Sequence, residues 1–356
     1  MISTKTLLVI VFIVCIITTL IFLFINKYKI DMRDSIALIQ CSEMHTEVLG
    51  GLINLFGKNC KNLYIYYVPY KSDFVKYYTD QSITCTPIHL YKIKDGKDKL
   101  LRTINHDLFV FVTGREYNEQ TDPTKTLLLM HHTDERVGLT QMGTLGVFSI
   151  SPLCKKLPHF LTVYKPCDSS RYIPNKFFTL LFCGYTNPDN KDLKSLVKLL
   201  EHIKQNDLPI KVNIVNYYPI KELDEYQKES ICKVHVDLPA KKMMKLVHDA
   251  DYVLTLVKKN SSYHKYQLTG VIPLAVSLGT PLIIDKDLAD IYGFSQKNCV
   301  IYESRCFKNA VLEEFERFKI QPSRRPLEML KYRDYIIKMY QQKMKKFLKL
   351  LSCDLW

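Results

Sequence analysis

The chain lacks the cysteine spacing that a stapled or zinc-built fold requires. Its eleven cysteines are scattered, with no C-x-x-C pair and no dense framework. That excludes a disulfide scaffold and a zinc module, so most should be reduced core residues. No nucleic-acid recognition module and no aromatic-basic motif occurs, so nucleic acid is not expected as a partner. No internal sequence repeat is detectable either. What is present is a globular composition, 47% hydrophobic and 24% charged, which argues against extended disorder. The 356 residues accommodate an anchor and two domains of roughly 150 residues each. Net charge is +14, and Lys5 is the only charged side chain in the first 26 residues. A basic surface suits anionic lipid or phosphorylated ligands, although a plain solvated lysine-rich surface explains the same number.

Residues 7–25 (LLVIVFIVCIITTLIFLFI) carry no charge and no proline. About twenty apolar residues rising 1.5 Å each match a bilayer core of roughly 30 Å. The run is too long for a typical signal-peptide core, and no small-x-small cleavage site follows it, so a retained single-pass anchor is expected. Lys27, Lys29 and Arg33 after the span outweigh Lys5 before it, which counts toward a cytoplasmic domain. The sequon Asn260-Ser261-Ser262 counts toward a lumenal one, so orientation stays open within an endomembrane or virus-derived membrane.

After the anchor, short and nearly all-apolar runs alternate with helical patterns. Ser35–Cys41, Asn62–Val68, Ile83–Tyr91, Asp107–Thr113, Thr126–His131 and Leu145–Ile150 read as strands, with helices over Glu43–Lys58 and Phe74–Tyr78. Such strands imply a parallel sheet covered on both faces, with ligands gathering beyond the carboxyl ends. Three groups sit at those ends: His45 between Glu43 and Glu47, Gly114-Arg115-Glu116, and His131-His132 running on to Arg136. An attacking hydroxyl must lose its proton, so these histidines are candidate general bases; ordinary polar loops are the competing reading. Adjacent histidines without an i+4 partner do not suit a metal.

Prolines 152, 158, 166 and 174 mark a junction, after which the alternation resumes from Phe177. Strands are expected at Phe177–Cys183, Ile210–Tyr217, Val234–Leu238, Tyr252–Val257, Pro281–Asp285 and Cys299–Tyr302. Helices are expected over Lys191–Gln205, Ala240–His248, from about Leu268, Phe307–Phe318 and Pro326–Leu351. The last carries Leu330, Ile337, Tyr340, Met344 and Phe347 on one face, which packing against the domains explains better than a membrane surface.

Asp249-Ala250-Asp251-Tyr252, Tyr266-Gln267-Leu268-Thr269-Gly270-Val271-Ile272-Pro273-Leu274-Ala275 and Ser277-Leu278-Gly279-Thr280-Pro281-Leu282-Ile283-Ile284 resemble the donor half of GT-B glycosyltransferases. Among that family's members the stretch resembles uncharacterised fungal and giant-virus ones. The resemblance implies an α/β chain with two Rossmann-like domains facing a cleft: an acceptor domain over 27–165, a nucleotide-sugar donor domain over 166–325, and a final helix over 326–356. It implies metal-independent transfer of a sugar, hexosyl-like, to a glycan, lipid-linked or protein hydroxyl, with no cofactor beyond the donor. Thr269 and Gly270 would take the diphosphate at a helix N-terminus. Gly184 would allow close backbone approach, and Lys258, Lys259 and Lys265 would balance the leaving charge.

One departure stands out. Many retaining members carry two glutamates along this helix with seven residues between them, and Leu274 occupies the second place. Ribose recognition must then differ, with Glu303 as a substitute, and the stereochemical outcome does not follow. Two other readings compete. A degenerate fold of this kind would serve as an anchored scaffold. A metal-dependent GT-A enzyme would use an Asp-x-Asp motif, for which Asp249-Ala250-Asp251 and Asp285-Lys286-Asp287 are the two triplets.

Overall fold

The structure is a computed structural model. It describes residues 33–41, 48–69, 72–81, 86–95, 97–112, 117, 121–130, 144–150, 152–153, 157–166, 177–184, 190–259, 261–265, 269–303, 306–321 and 325–353. The anchor expected over 7–25, and His45, His131 and His132, lie outside these residues. Among the described residues no helix is long and apolar enough to cross a membrane.

The first half runs β1 (Arg33–Gln40), α1 (Leu49–Phe56), β2 (Cys60–Tyr67), α2 (Ser72–Asp80), β3 (Ile88–Lys92), α3 (Leu100–Thr103), β4 (Leu108–Phe111), β5 (Thr126–Met130) and β6 (Gly146–Ser149). The second half opens with β7 (Phe178–Cys183), α4 (Leu193–Gln205), β8 (Ile210–Asn216), α5 (Asp224–Lys228), β9 (Cys232–Val236), α6 (Ala240–Asp249) and β10 (Tyr252–Leu254). It closes with α7 (Ser262–Lys265), α8 (Val271–Leu278), β11 (Leu282–Asp285), α9 (Lys286–Tyr292), β12 (Cys299–Tyr302), α10 (Phe307–Ile320) and α11 (Arg325–Cys353).

The strands form two six-stranded sheets, ordered β3-β2-β1-β4-β5-β6 and β12-β11-β10-β7-β8-β9. Numbered within its own half, each sheet has the order 3-2-1-4-5-6, and every described pairing is parallel. That is the doubly wound arrangement, in which the order reverses beside the first strand and leaves a crevice at its carboxyl end. The reversal falls between β1 and β4 in one sheet and between β7 and β10 in the other.

The two halves also fasten this central pair in the same way. Ser35 at the start of β1 donates its N–H to Asp107 Oδ2 at 3.0 Å, and Asp107 returns its N–H to the Ser35 carbonyl at 3.2 Å. In the second sheet Thr179 donates to Asp251 Oδ2 at 2.8 Å, and Asp251 donates to the Thr179 carbonyl at 2.9 Å. Asp251 is therefore a buried strand-pairing residue, and the Asp249-Ala250-Asp251 triplet is a helix-to-strand turn.

Side chains alternate between layers with the period of two that a strand imposes. Ile36, Leu38, Leu63 and Ile65 share one continuous apolar core with Val253, Leu282 and Ile284 of the other sheet, through α1, α6, α8 and α11. The opposite faces have separate cores, one around Ala37, Ile39 and Phe111, the other around Phe178, Leu180 and Phe182 under α4 and α10. Polar contacts cross the joint as well: Asp73 of α2 accepts the Ala240 N–H at the start of α6 at 2.6 Å, and the Tyr164 N–H donates to Ser277 Oγ at 3.0 Å. Helix α11 straps both halves. Met329, Ile336, Tyr340, Met344 and Leu348 are buried in the shared core, and Gln341 Nε2 donates to the Asn54 carbonyl at 3.4 Å.

Candidate active site

The second sheet's crevice is built from two loops tied together. Gly184 ends β7 with φ +111°, a conformation that favours glycine, and donates its N–H to the Val215 carbonyl at 3.1 Å. After residues 185–189, which lie outside the described set, the chain returns at Asn190. The Asn190 carbonyl accepts from Lys258 N–H at 2.9 Å, Asn190 Oδ1 accepts from Ser262 Oγ at 3.1 Å, and Asp192 N–H donates to the Leu256 carbonyl at 3.2 Å. These bonds clamp the loop after β7 against the loop after β10.

Lys191 sits inside that clamp. It is 3% exposed, its Nζ lies 5.7 Å from the Phe182 ring centroid and 5.3 Å from that of Tyr263, and a Cβ placed on Gly184 would be 3.7 Å from it. No carboxylate pairs with it among the described residues. Burial lowers its pKa from 10.5 to about 8, against a small opposing effect from Cys183. A buried ammonium held by two aromatic faces beside a glycine of positive φ has the chemistry to take an anion. Periodicity places Lys191 at the start of an amphipathic helix whose inward residues are Leu193, Leu196, Leu199 and Ile203. The structure starts that helix at Leu193, caps it with Asp192 (Ser195 N–H to Oδ1 at 3.2 Å), and turns Lys191 inward in a bridge with Val257.

The helix that carries the family resemblance, α8, begins at Val271 rather than near Leu268. Thr269 is buried and Gly270 takes the cap position without a side-chain cap. Ile272 N–H is bound by the Thr269 carbonyl at 3.1 Å, Leu274 N–H by that of Gly270 at 3.3 Å, and Pro273 has none. Among the described residues no carbonyl outside the helix takes the Val271 N–H in this first turn. Leu274 is 3% exposed and belongs to the shared core, so its side chain faces the fold and not a ribose.

Of the other lysines expected here, Lys258, Lys259 and Lys265 are exposed, and Lys258 enters the clamp through its backbone alone. Glu303 is exposed one residue beyond Tyr302. Tyr302 lines an open pocket of about 120 Å³ together with Asp192, Val257, Lys259, His264, Asp285, Asp287 and Phe307. Two of these residues belong to the Asp285-Lys286-Asp287 triplet. The sequence reading assigned no metal, yet His264, Asp285 and Asp287 offer ligand atoms all within 4.8 Å of one another. Neither His264 nor Lys191 is marked by any motif; both emerge from loop packing.

No protein-family model and no curated protein matches the chain. Solved structures do. The chain is similar to Anabaena HepE, solved with UDP and glucose, at a TM-score of 0.58 and 11% identity over 89% of this chain and 99% of that one. It is similar to an alpha-glucosyltransferase solved with UDP and a 13-mer DNA containing an A:G mismatch, at 0.58 and 12% over 90% and 100%. A further alpha-glucosyltransferase structure, with UDP-glucose and DNA containing an abasic site, matches at 0.56 and 11% over 89% and 95%. At that identity the likeness establishes architecture: two parallel-sheet Rossmann-like domains in the GT-B arrangement.

Proposed function

We propose that the chain is a glycosyltransferase that moves a sugar from a nucleotide-sugar donor to an acceptor hydroxyl. One observation carries the reading: Lys191, a buried ammonium without a carboxylate partner among the described residues, lies beside Gly184 at the switch point of the second sheet. The donor diphosphate would lie against Lys191 and the Val271 amide, with Gly184 leaving room for it. In the reaction the anomeric carbon–phosphate oxygen bond breaks as the acceptor oxygen bonds to that carbon. The diphosphate leaves with the electron pair, and the acceptor proton passes to a base. Lys191 stabilises charge where it develops. His45, His131 and His132 remain the proposed bases, and residues 7–25 the proposed membrane anchor. The division into an acceptor half over 27–165 and a donor half over 166–325 belongs to the same proposal.

The acceptor is proposed as a glycan, a lipid-linked sugar or a protein. Because two similar structures carry DNA and this chain has a net charge of +14, duplex DNA belongs in the same acceptor panel. The test is binding and turnover of a panel of nucleotide-sugars by the full chain. Lys191→Met should bind the donor about 10–100-fold more weakly, the cost of one charge-assisted contact. A chain that neither binds nor hydrolyses any donor is the anchored scaffold instead, and unchanged donor affinity in Lys191→Met sinks the assignment of the site.

A further inference from the structure

The pocket beside Lys191 contains a second charge arrangement, opposite in sign. Asp285 ends β11 and is 7% exposed. Its Oδ1 accepts the Leu288 N–H at 3.1 Å, capping α9, and lies 3.3 Å from His264 Nε2. Its Oδ2 is buried and has no hydrogen-bond partner. A buried carboxylate oxygen left without a partner is costly and rare. Asp287 adds a second carboxylate within 4.8 Å of the first, and the ammonium that approaches it, Lys259 at 4.0 Å, is exposed. Asp192 lines the same pocket, but its carboxylate is engaged at the start of α4 by Ser195.

The histidine fits the same picture. His264 Nδ1 lies 3.4 Å from Ser261 Oγ. With Ser261 accepting the Nδ1 proton, the Nε2 lone pair points at the Asp285 carboxylate, an arrangement that needs positive charge between them. A hydroxyl that accepts the other ring N–H in this way is how metal-binding histidines are oriented. One imidazole and two carboxylates suit a divalent cation of the Mn²⁺ or Mg²⁺ kind.

We propose that His264, Asp285 and Asp287 hold a divalent cation at the carboxyl end of β11, facing the pocket, where it meets the oxygens of the donor diphosphate. The cation half stands on the pocket alone. The diphosphate half rests on the glycosyltransferase reading. The Asp-x-Asp triplet would then serve in a two-sheet fold the metal-holding purpose that the sequence reading attached to a different architecture.

The test begins with the metal alone. The chelator-stripped full chain is titrated with MnCl₂ by calorimetry and by electron paramagnetic resonance. One saturable site is expected, weakened at least tenfold by His264→Gln, Asp285→Asn and Asp287→Asn. Asparagine still caps a helix, so Asp285→Asn should keep its far-ultraviolet circular dichroism. Asp290→Asn, on the same helix but paired with Lys286, should bind as the parent does. No saturable Mn²⁺ binding by the parent, or parental affinity in all three folded variants, overturns the proposal. UDP is then titrated with and without Mn²⁺, and tighter binding with Mn²⁺, lost in Asp287→Asn, is expected. UDP binding that ignores Mn²⁺ in a chain that does bind the ion overturns the diphosphate half. UDP bound by a chain that takes no Mn²⁺ removes the cation and leaves the transferase reading intact. Mn²⁺ bound by a chain that takes no nucleotide does the reverse.

Discussion

Lys191 is the residue on which the fold and the proposed function pull in opposite directions. Burying an ammonium without a carboxylate costs stability, and the lowered pKa is the measure of that cost. Lys191→Met should therefore raise the stability of the ligand-free chain by roughly 1–3 kcal/mol while weakening nucleotide binding; urea unfolding against UDP titration checks both. The pH dependence follows from the same shift. Between pH 8 and 10.5 the unfolded chain holds a proton that the folded chain has released, so the Lys191 contribution makes stability rise with pH across that window. An anion at Lys191 favours the charged form, so binding should take up a proton and weaken as pH climbs past 8. Calorimetry of UDP binding in buffers of different ionisation enthalpy measures that uptake; none at pH 8.5 would remove Lys191 from the site.

At the scale of elements, the periodicity of apolar residues located both sets of strands and the long helices, because each has a face that must be buried. It overran where burial continues past the ladder: Tyr252–Val257 is buried throughout, but the strand stops at Leu254. The helix α9 is absent from that reading because it starts directly on β11 with no loop between them, and its cap, Asp285, was weighed as a metal ligand. Lys191 and His264 were out of reach for a different reason: each gains its character from a neighbour brought close by loop bonds, not from its own flanking residues. One element contact supplies a further prediction. Glu314 of α10 is 3% exposed and accepts from Tyr252 of β10 and from Arg325 at the start of α11. Glu314→Ala removes the buried carboxylate on which the Tyr252 hydroxyl and the Arg325 guanidinium converge, at a cost of about 3–5 kcal/mol in urea unfolding. Glu314→Gln, which keeps a hydrogen-bond acceptor, should cost less.

At the scale of the molecule, the shared core makes the two sheets one structural body from residue 34 onward. Domains joined by a large apolar interface do not move freely, so heating should give a single transition, the same by calorimetry and by circular dichroism. The joint tolerates little added volume. A Cβ on Gly51 of α1 would lie 2.2 Å from the backbone of Thr162, which crosses over that helix. Gly51→Ala should cost about 1–3 kcal/mol and keep the transition single; two separated transitions in the parent chain would show that the halves unfold alone.

The buried ammonium also has a chemical consequence. An amine of pKa about 8 is unprotonated about a tenth of the time at pH 7, far more often than an exposed lysine. Lys191 should thus be a nucleophile distinguishable by reactivity from the other lysines of a very basic chain. A small acylating reagent that enters the loop clamp would mark it in preference to them, and a bound anion would silence it. Peptide mass would then report whether the proposed anion site is occupied.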